Sequence, residues 1–127
     1  MSRYKKDLGD FGEEMAEKYF EKHGYKIVER NYRIREGEID IILRNDKVLV
    51  FVEVKTRKSD KYGFPAEAVT FSKKKKLIKT AEHYLYNTPT ELEIRFDVVE
   101  VYAEIRKGEF VFKDIHHIKN AILEVNL

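Results

Sequence analysis

The chain has 127 residues, a formal net charge of +2, 43% hydrophobic and 38% charged residues, and no cysteine. That length predicts a single domain over residues 1–127, and a charge so nearly balanced announces no nucleic-acid partner unless a local patch does so. The missing cysteine excludes disulfides, a thiolate zinc site and a Cys nucleophile, and it fits a reducing cytoplasm.

The segment Met1 to Asp7 has no apolar stretch after its charges, so no signal peptide is expected. No window approaches the roughly 18 apolar residues of a membrane span. The expectation is a soluble cytoplasmic protein with no membrane partner. From Asp10 to His23, Phe11, Met15, Ala16, Tyr19 and Phe20 recur at helical spacing, and Gly24 stands where a helix stops. Tyr25 to Tyr32 reads as a short strand. Gly37 to Leu43 and Val48 to Thr56 read as the two strands of a hairpin. Residues 57–65 form a polar loop closed by Pro65, with Tyr62 and Phe64 within it as loop anchors or base-stacking rings. Ser72 is placed to cap a second helix with Leu77, Ile78, Ala81, Tyr84 and Leu85 on one face, ended by Asn87-Thr88-Pro89. Leu92 to Tyr102 reads as a strand, and Lys107-Gly108 turns into another at Glu109 to Lys113. Ile115, Ile118, Ala121 and Ile122 form a C-terminal amphipathic turn or helix. The order of helix, strands, helix and strands predicts an α/β fold on a mixed sheet.

The hairpin carries the chemistry. Charged residues recur at every second position in its apolar strands, which puts Glu38 and Asp40 on one face and Glu53 and Lys55 on one face. With a turn at Asn45-Asp46, Arg44 pairs with Lys47, Asp40 stands opposite Phe51 and Glu38 opposite Glu53. Asp40 is then diagonal to Glu53 at roughly 7–8 Å. Like charges so placed repel, so a cation is expected among them: Lys55, or a divalent metal. Phosphodiester hydrolysis needs such an arrangement, with carboxylates to hold a metal and a lysine to stabilise the developing charge. Charges inside so apolar a strand are expected to be paired or functional. Gly37 would let the backbone approach a ligand closely. Glu13, at the margin of the first helix's apolar stripe, reads either as a further ligand or as a first-turn acid facing the helix dipole.

Together these residues resemble the restriction-endonuclease-like superfamily, whose signature is PD-(D/E)xK, and more narrowly the YraN-like family, relatives of the archaeal Holliday-junction resolvases. The resemblance runs through Gly12-Glu13 and Ala16, Gly24-Tyr25, Arg30-Asn31, Gly37-Glu38-Ile39-Asp40, Phe51-Val52-Glu53-Val54-Lys55-Thr56-Arg57 and Arg95-Phe96-Asp97-Val98-Val99. It implies a restriction-endonuclease-like core, a mixed sheet flanked by helices. It also implies Mg²⁺ or Mn²⁺ held by Asp40, Glu53 and the Val54 carbonyl, with Glu13 as the helix-borne ligand and Lys55 as the signature lysine. Glu38 lies beside the site. Ile39 stands where the signature has proline. The resemblance implies an endonuclease for branched or structured DNA, of the kind used in DNA repair and recombination, and a two-fold dimer to match a two-fold junction.

Lys73-Lys74-Lys75-Lys76 opens the second helix, and Arg57 and Lys58 follow the hairpin. They read as a phosphate-binding rim or as a solvated face, and four cations at a helix N-terminus oppose its dipole. His116-His117 points to opposite sides of an extended segment without zinc spacing and is expected at the surface or an interface. Arg95 and Asp97 share a strand face as a structural ion pair. Two other readings stand beside the nuclease: a non-catalytic DNA-binding module on the same fold, and an interaction protein whose hairpin charges are a solvated sheet face.

Overall fold

A computed structural model describes residues 3–59 and 71–121. Helix α1 spans Arg3–Lys22, starting well ahead of Asp10. Its added turns are laced by Lys6–Asp10 at 2.9 Å and Arg3–Asp7 at 4.0 Å, and anchored by Tyr4 and Phe11 against the Phe110 ring. Gly24, at a φ of 88°, ends it. The Tyr25 and Gly24 amides donate back to the Phe20 and Glu21 carbonyls, and the Tyr25 ring closes on Phe20 at 5.5 Å. This hydrogen-bond pair with its apolar clasp is the Schellman ending.

Five strands follow: β1 (Lys26–Ile34), β2 (Gly37–Arg44), β3 (Val48–Lys58), β4 (Glu93–Arg106) and β5 (Glu109–Ile118), with α2 (Phe71–Asn87) between β3 and β4. They form one sheet in the order β1-β2-β3-β4-β5. Only β3 and β4 run parallel, because only they are joined through a helix. The expected mixed sheet flanked by helices is what the chain forms. On one face α1 buries Ala16 and Phe20 against Ile41, Val50, Val52, Val99 and Val101. On the other, α2 buries Leu77, Ala81 and Tyr84 against Ile39, Ile42, Leu49 and Phe51. At about 25 cal/mol per Å² these burials are the main favourable term in folding.

Three local expectations are corrected. Ser72 lies inside α2, which already includes Phe71, so it is not the cap. Ile115 and Ile118 belong to β5, not to a C-terminal helix, because the long β4 offers them a ladder as far as Val98; Ile122 lies outside the described residues, as do Tyr62, Phe64 and Pro65. The hairpin register moves by two residues: Arg44 pairs with Leu49, and Ile42 with Phe51. The cause is the turn. Asn45 Oδ1 accepts the amides of Lys47 and Val48, and the Asn45 amide donates to Val48 O, an Asx turn that leaves Asn45, Asp46 and Lys47 as the loop between the strands. An even shift keeps the side chains of the paired stretch, Ile41 to Arg44 and Leu49 to Val52, on their expected faces.

Candidate functional site

The β2–β3 ladder stops at Ile41 and Val52. The next residues along are Asp40 and Glu53, and there the strands part. The Val54 amide donates to Asp40 Oδ2 at 2.8 Å, so a side chain replaces the backbone acceptor that the ladder would have supplied. The parting has a local cause. Residues two apart in a strand normally share a face. Yet Ile39 packs in the α2 core and Ile41 in the α1 core. Strand β1 changes faces at the same level, since Tyr32 packs under α2 while Arg30 pairs with Glu17 of α1 at 2.8 Å. Between them Asn31 holds a φ of 50°, a left-handed conformation that asparagine tolerates better than most residues. The switch leaves Asp40 in the seam between the two faces.

Around that seam the charges are poorly balanced. Lys73 of α2 reaches Glu53 Oε1 at 2.5 Å, whereas Glu53 Oε2 is buried with no hydrogen-bond partner among the described residues. Burial pushes the Asp40 carboxyl up to about 6, the Val54 amide draws it back, and Glu53 and Glu38 push it up again. Burial, and then Asp40 and Asp10, push Glu13 up to about 7. Glu13 is brought in by close packing: a Cβ on Gly12 would stand 1.8 Å from Thr56 Oγ1, so only glycine lets α1 lie this close to β3. A cleft of about 400 Å³ opens beside the seam, lined by Glu38, Asp40, Glu53, Lys73 and Lys76 among others.

The donors fit a hard divalent cation in kind. Such ions take carboxylate and carbonyl oxygens, and Mg²⁺ needs only one or two carboxylates because it keeps several waters. The buried, unpartnered Glu53 oxygen and the raised Asp40 are groups that a cation would satisfy. Among the described residues no three His, Asp or Glu side chains are grouped to hold a metal ion. Glu13, Asp40 and Glu53 are therefore not assembled as a three-acid set; Asp40 and Glu53 are the pair that the gap offers.

Lys55 is partly buried on β3, on the Glu53 face by strand alternation. Glu38 is half exposed and turned to Arg33 at 2.7 Å. The basic residues divide. Only Lys73 and Lys76 of the lysine run line the cleft, while Lys75 lies over the Phe71 ring and Lys74 does not line it. Arg57 is held by the buried Glu100 at 3.3 Å, and Lys58 lies over Tyr4 of α1, on the other face of the sheet. Gly37 makes room for α2, since a Cβ there would stand 2.7 Å from Thr80 Oγ1. His117 is not at the surface: its side chain is 8% exposed, and it bonds Asp97 at 2.6 Å and Tyr19 at 2.9 Å. Sequence reasoning missed that knot, in which the Arg95–Asp97 pair is fixed, and it missed the Lys73–Glu53 bridge. Only Arg95, two positions from Asp97, gave a local signal.

A mixed α/β sheet carrying an acidic, lysine-rimmed cleft where two strands part defines the class of protein. The chain belongs to the family described as Uncharacterised protein family UPF0102, whose sequence pattern matches residues 12–101; this is the YraN-like family that the motifs resemble. It is 43% identical over 122 residues to the UPF0102 protein of Clostridium beijerinckii, spanning 95% of this chain and 97% of that one. The UPF0102 protein of Caldicellulosiruptor bescii is 48% identical over 118 residues, 91% of this chain and 97% of its own. A solved structure of Pyrococcus furiosus SfsA in complex with Ca²⁺ matches with a TM-score of 0.44 and 19% identity, over 84% of this chain and 63% of that one. No helix among the described residues is long and apolar enough to cross a membrane.

Proposed function

We propose that the protein is a metal-dependent endonuclease that hydrolyses phosphodiester bonds in branched or structured DNA. The observation that carries this is the buried Glu53 Oε2, without a partner among the described residues, beside the raised Asp40 and a cleft edged by lysines. Lys73 holds Glu53 Oε1, while Oε2 is left without a donor among the described residues, which is where a bound cation would act. Asp40, Glu53 and the Val54 carbonyl would hold Mg²⁺ or Mn²⁺, which supplies charge neutralisation and an acidified water when bound. Glu13, poised near neutrality, can accept a proton from the attacking water. Lys55 and Lys73 carry positive charge to the phosphate oxygens, and Lys76 holds the backbone next to them.

A second reading is a non-catalytic DNA-binding module. The Lys73–Glu53 bridge favours it, because it already neutralises part of the acidic seam. One experiment separates the two. Purified protein and Glu53→Ala are incubated with Mn²⁺ or Mg²⁺ and labelled four-way junctions, flaps, single strands and duplex. Metal-dependent cuts that vanish in the variant support the nuclease. Binding of junction DNA without cuts supports the module, and neither cutting nor binding refutes both.

A further inference from the structure

The cleft does not end at Lys76. Two more concavities continue from it across the outer side of α2 to the β1–β2 turn. The first, of about 540 Å³, is lined by Arg35, Lys75, Lys76 and Lys79 against the two acids Glu36 and Glu82. The second joins it to the seam through Arg35, Gly37 and Glu38. Lys76 lines all three. Arg35, Lys76 and Lys79 form no ion pair among the described residues. Lys75 and Lys79 stand one helical turn apart, as do Lys76 and Lys79, and like charges at those spacings destabilise a helix. A concave surface on which cations outnumber acids, and where Arg35, Lys76 and Lys79 form no ion pair among the described residues, is suited to a polyanion with regularly repeated charge.

We infer that the DNA backbone leaves the acidic seam along this path, held by Lys76, Lys79 and Lys75 on α2 and by Arg35 in the β1–β2 turn. The inference rests on the nuclease-or-module reading and names its contact surface. It moves the expected basic rim: Arg57 and Lys58 leave it, and Arg35 and Lys79, which no motif marked, enter it. The cations touch phosphates and read no bases, so they set register and orientation on branched DNA without sequence preference.

The test is fluorescence anisotropy of a labelled four-way junction and a duplex in EDTA, across a series of NaCl concentrations. The wild type is compared with Arg35→Ala/Lys79→Ala and with Lys18→Ala/Lys22→Ala, which removes the same charge from α1. Each phosphate contact contributes about 0.9 to the slope of log affinity against log salt. The path variant should therefore lose a slope of about 1.8 and bind on the order of tenfold or more weaker at 0.1 M salt. The α1 variant should follow the wild type. Equal losses in both variants would mean that net charge alone matters, and would overturn the path. No loss in the path variant, with the wild type still binding, overturns the path while leaving the reading of the seam intact. A folded wild type that binds no DNA overturns both. Tighter binding to an RNA duplex of the same sequence would replace DNA as the partner.

Discussion

Asp40→Asn should make the metal-free protein more stable at alkaline pH. Asn has the same shape and can still accept the Val54 amide, now held at 2.8 Å, but it carries no charge to desolvate or to set against Glu53. The sign follows from the direction of the shift. An acid whose folded value is raised costs nothing below its unfolded value, costs progressively more as pH climbs to the folded value, and costs its full amount above that. For Asp40 the rise is from 3.8 to about 6, which at about 1.4 kcal/mol per pH unit is roughly 3 kcal/mol. In a chain of this size that is about 10 °C in Tm. Thermal melts of wild type and variant in EDTA at pH 4, 6 and 8 should differ by only about 2 °C at pH 4 and by the full amount at pH 8. Adding Mg²⁺ at pH 8 should close the gap by stabilising the wild type alone. A gain of equal size at every pH, or none at pH 8, would refute the claim that burial of an ionised Asp40 is what strains the seam.

Three further outcomes are expected. Gly12→Ala drives a methyl group into Thr56 and should cost about 1–3 kcal/mol by urea denaturation, with α1 and Glu13 displaced from the seam; a variant as stable as the wild type would show that α1 does not pack as closely as the 1.8 Å clearance requires. Asp97→Asn leaves Arg95, 14% exposed at its side chain, without its charge partner, and should cost about 3–5 kcal/mol. Because Arg95, His117 and the Asn120 amide hold Asp97 below its usual range despite burial, the stability it adds is present at neutral pH and fades only as pH falls below about 4. Glu53→Gln should abolish Mg²⁺-dependent thermal stabilisation while leaving the metal-free fold intact by circular dichroism; stabilisation equal to the wild type would remove Glu53 from the metal set.

The strands were readable where local chemistry alone decides them. Val48, Val50 and Val52 alternate with Leu49 and Phe51 in the sequence and take opposite faces in the sheet, because a side-chain period of two survives any even shift of register. The register itself was not readable, since it depends on which amides Asn45 caps. The lysine run shows a different limit. Consecutive residues on a helix are spread around it, so four adjacent lysines cannot share one surface; Lys73 and Lys76, three apart, meet the cleft. The switch of faces at Asn31 and Asp40 left no periodic trace, because it breaks the very period that sequence reading relies on.

Asp40 and Asp97 look alike in the sequence: each is an acid within an apolar strand, and each lies in a family-like motif. The fold treats them oppositely. Asp97 is fully enclosed yet receives Arg95 twice, His117 and the Asn120 amide, and its carboxyl is held low. Asp40 receives one amide, faces Glu53 with its orphaned oxygen, and is pushed up. Burial alone therefore does not distinguish a structural acid from a functional one. The distinction lies in whether the protein supplies the donors itself. By that criterion the Asp97 knot ties β4, β5 and α1 together and asks for no ligand. The Asp40–Glu53 seam stays short of positive charge even with Lys73 in place, and a bound cation would supply it.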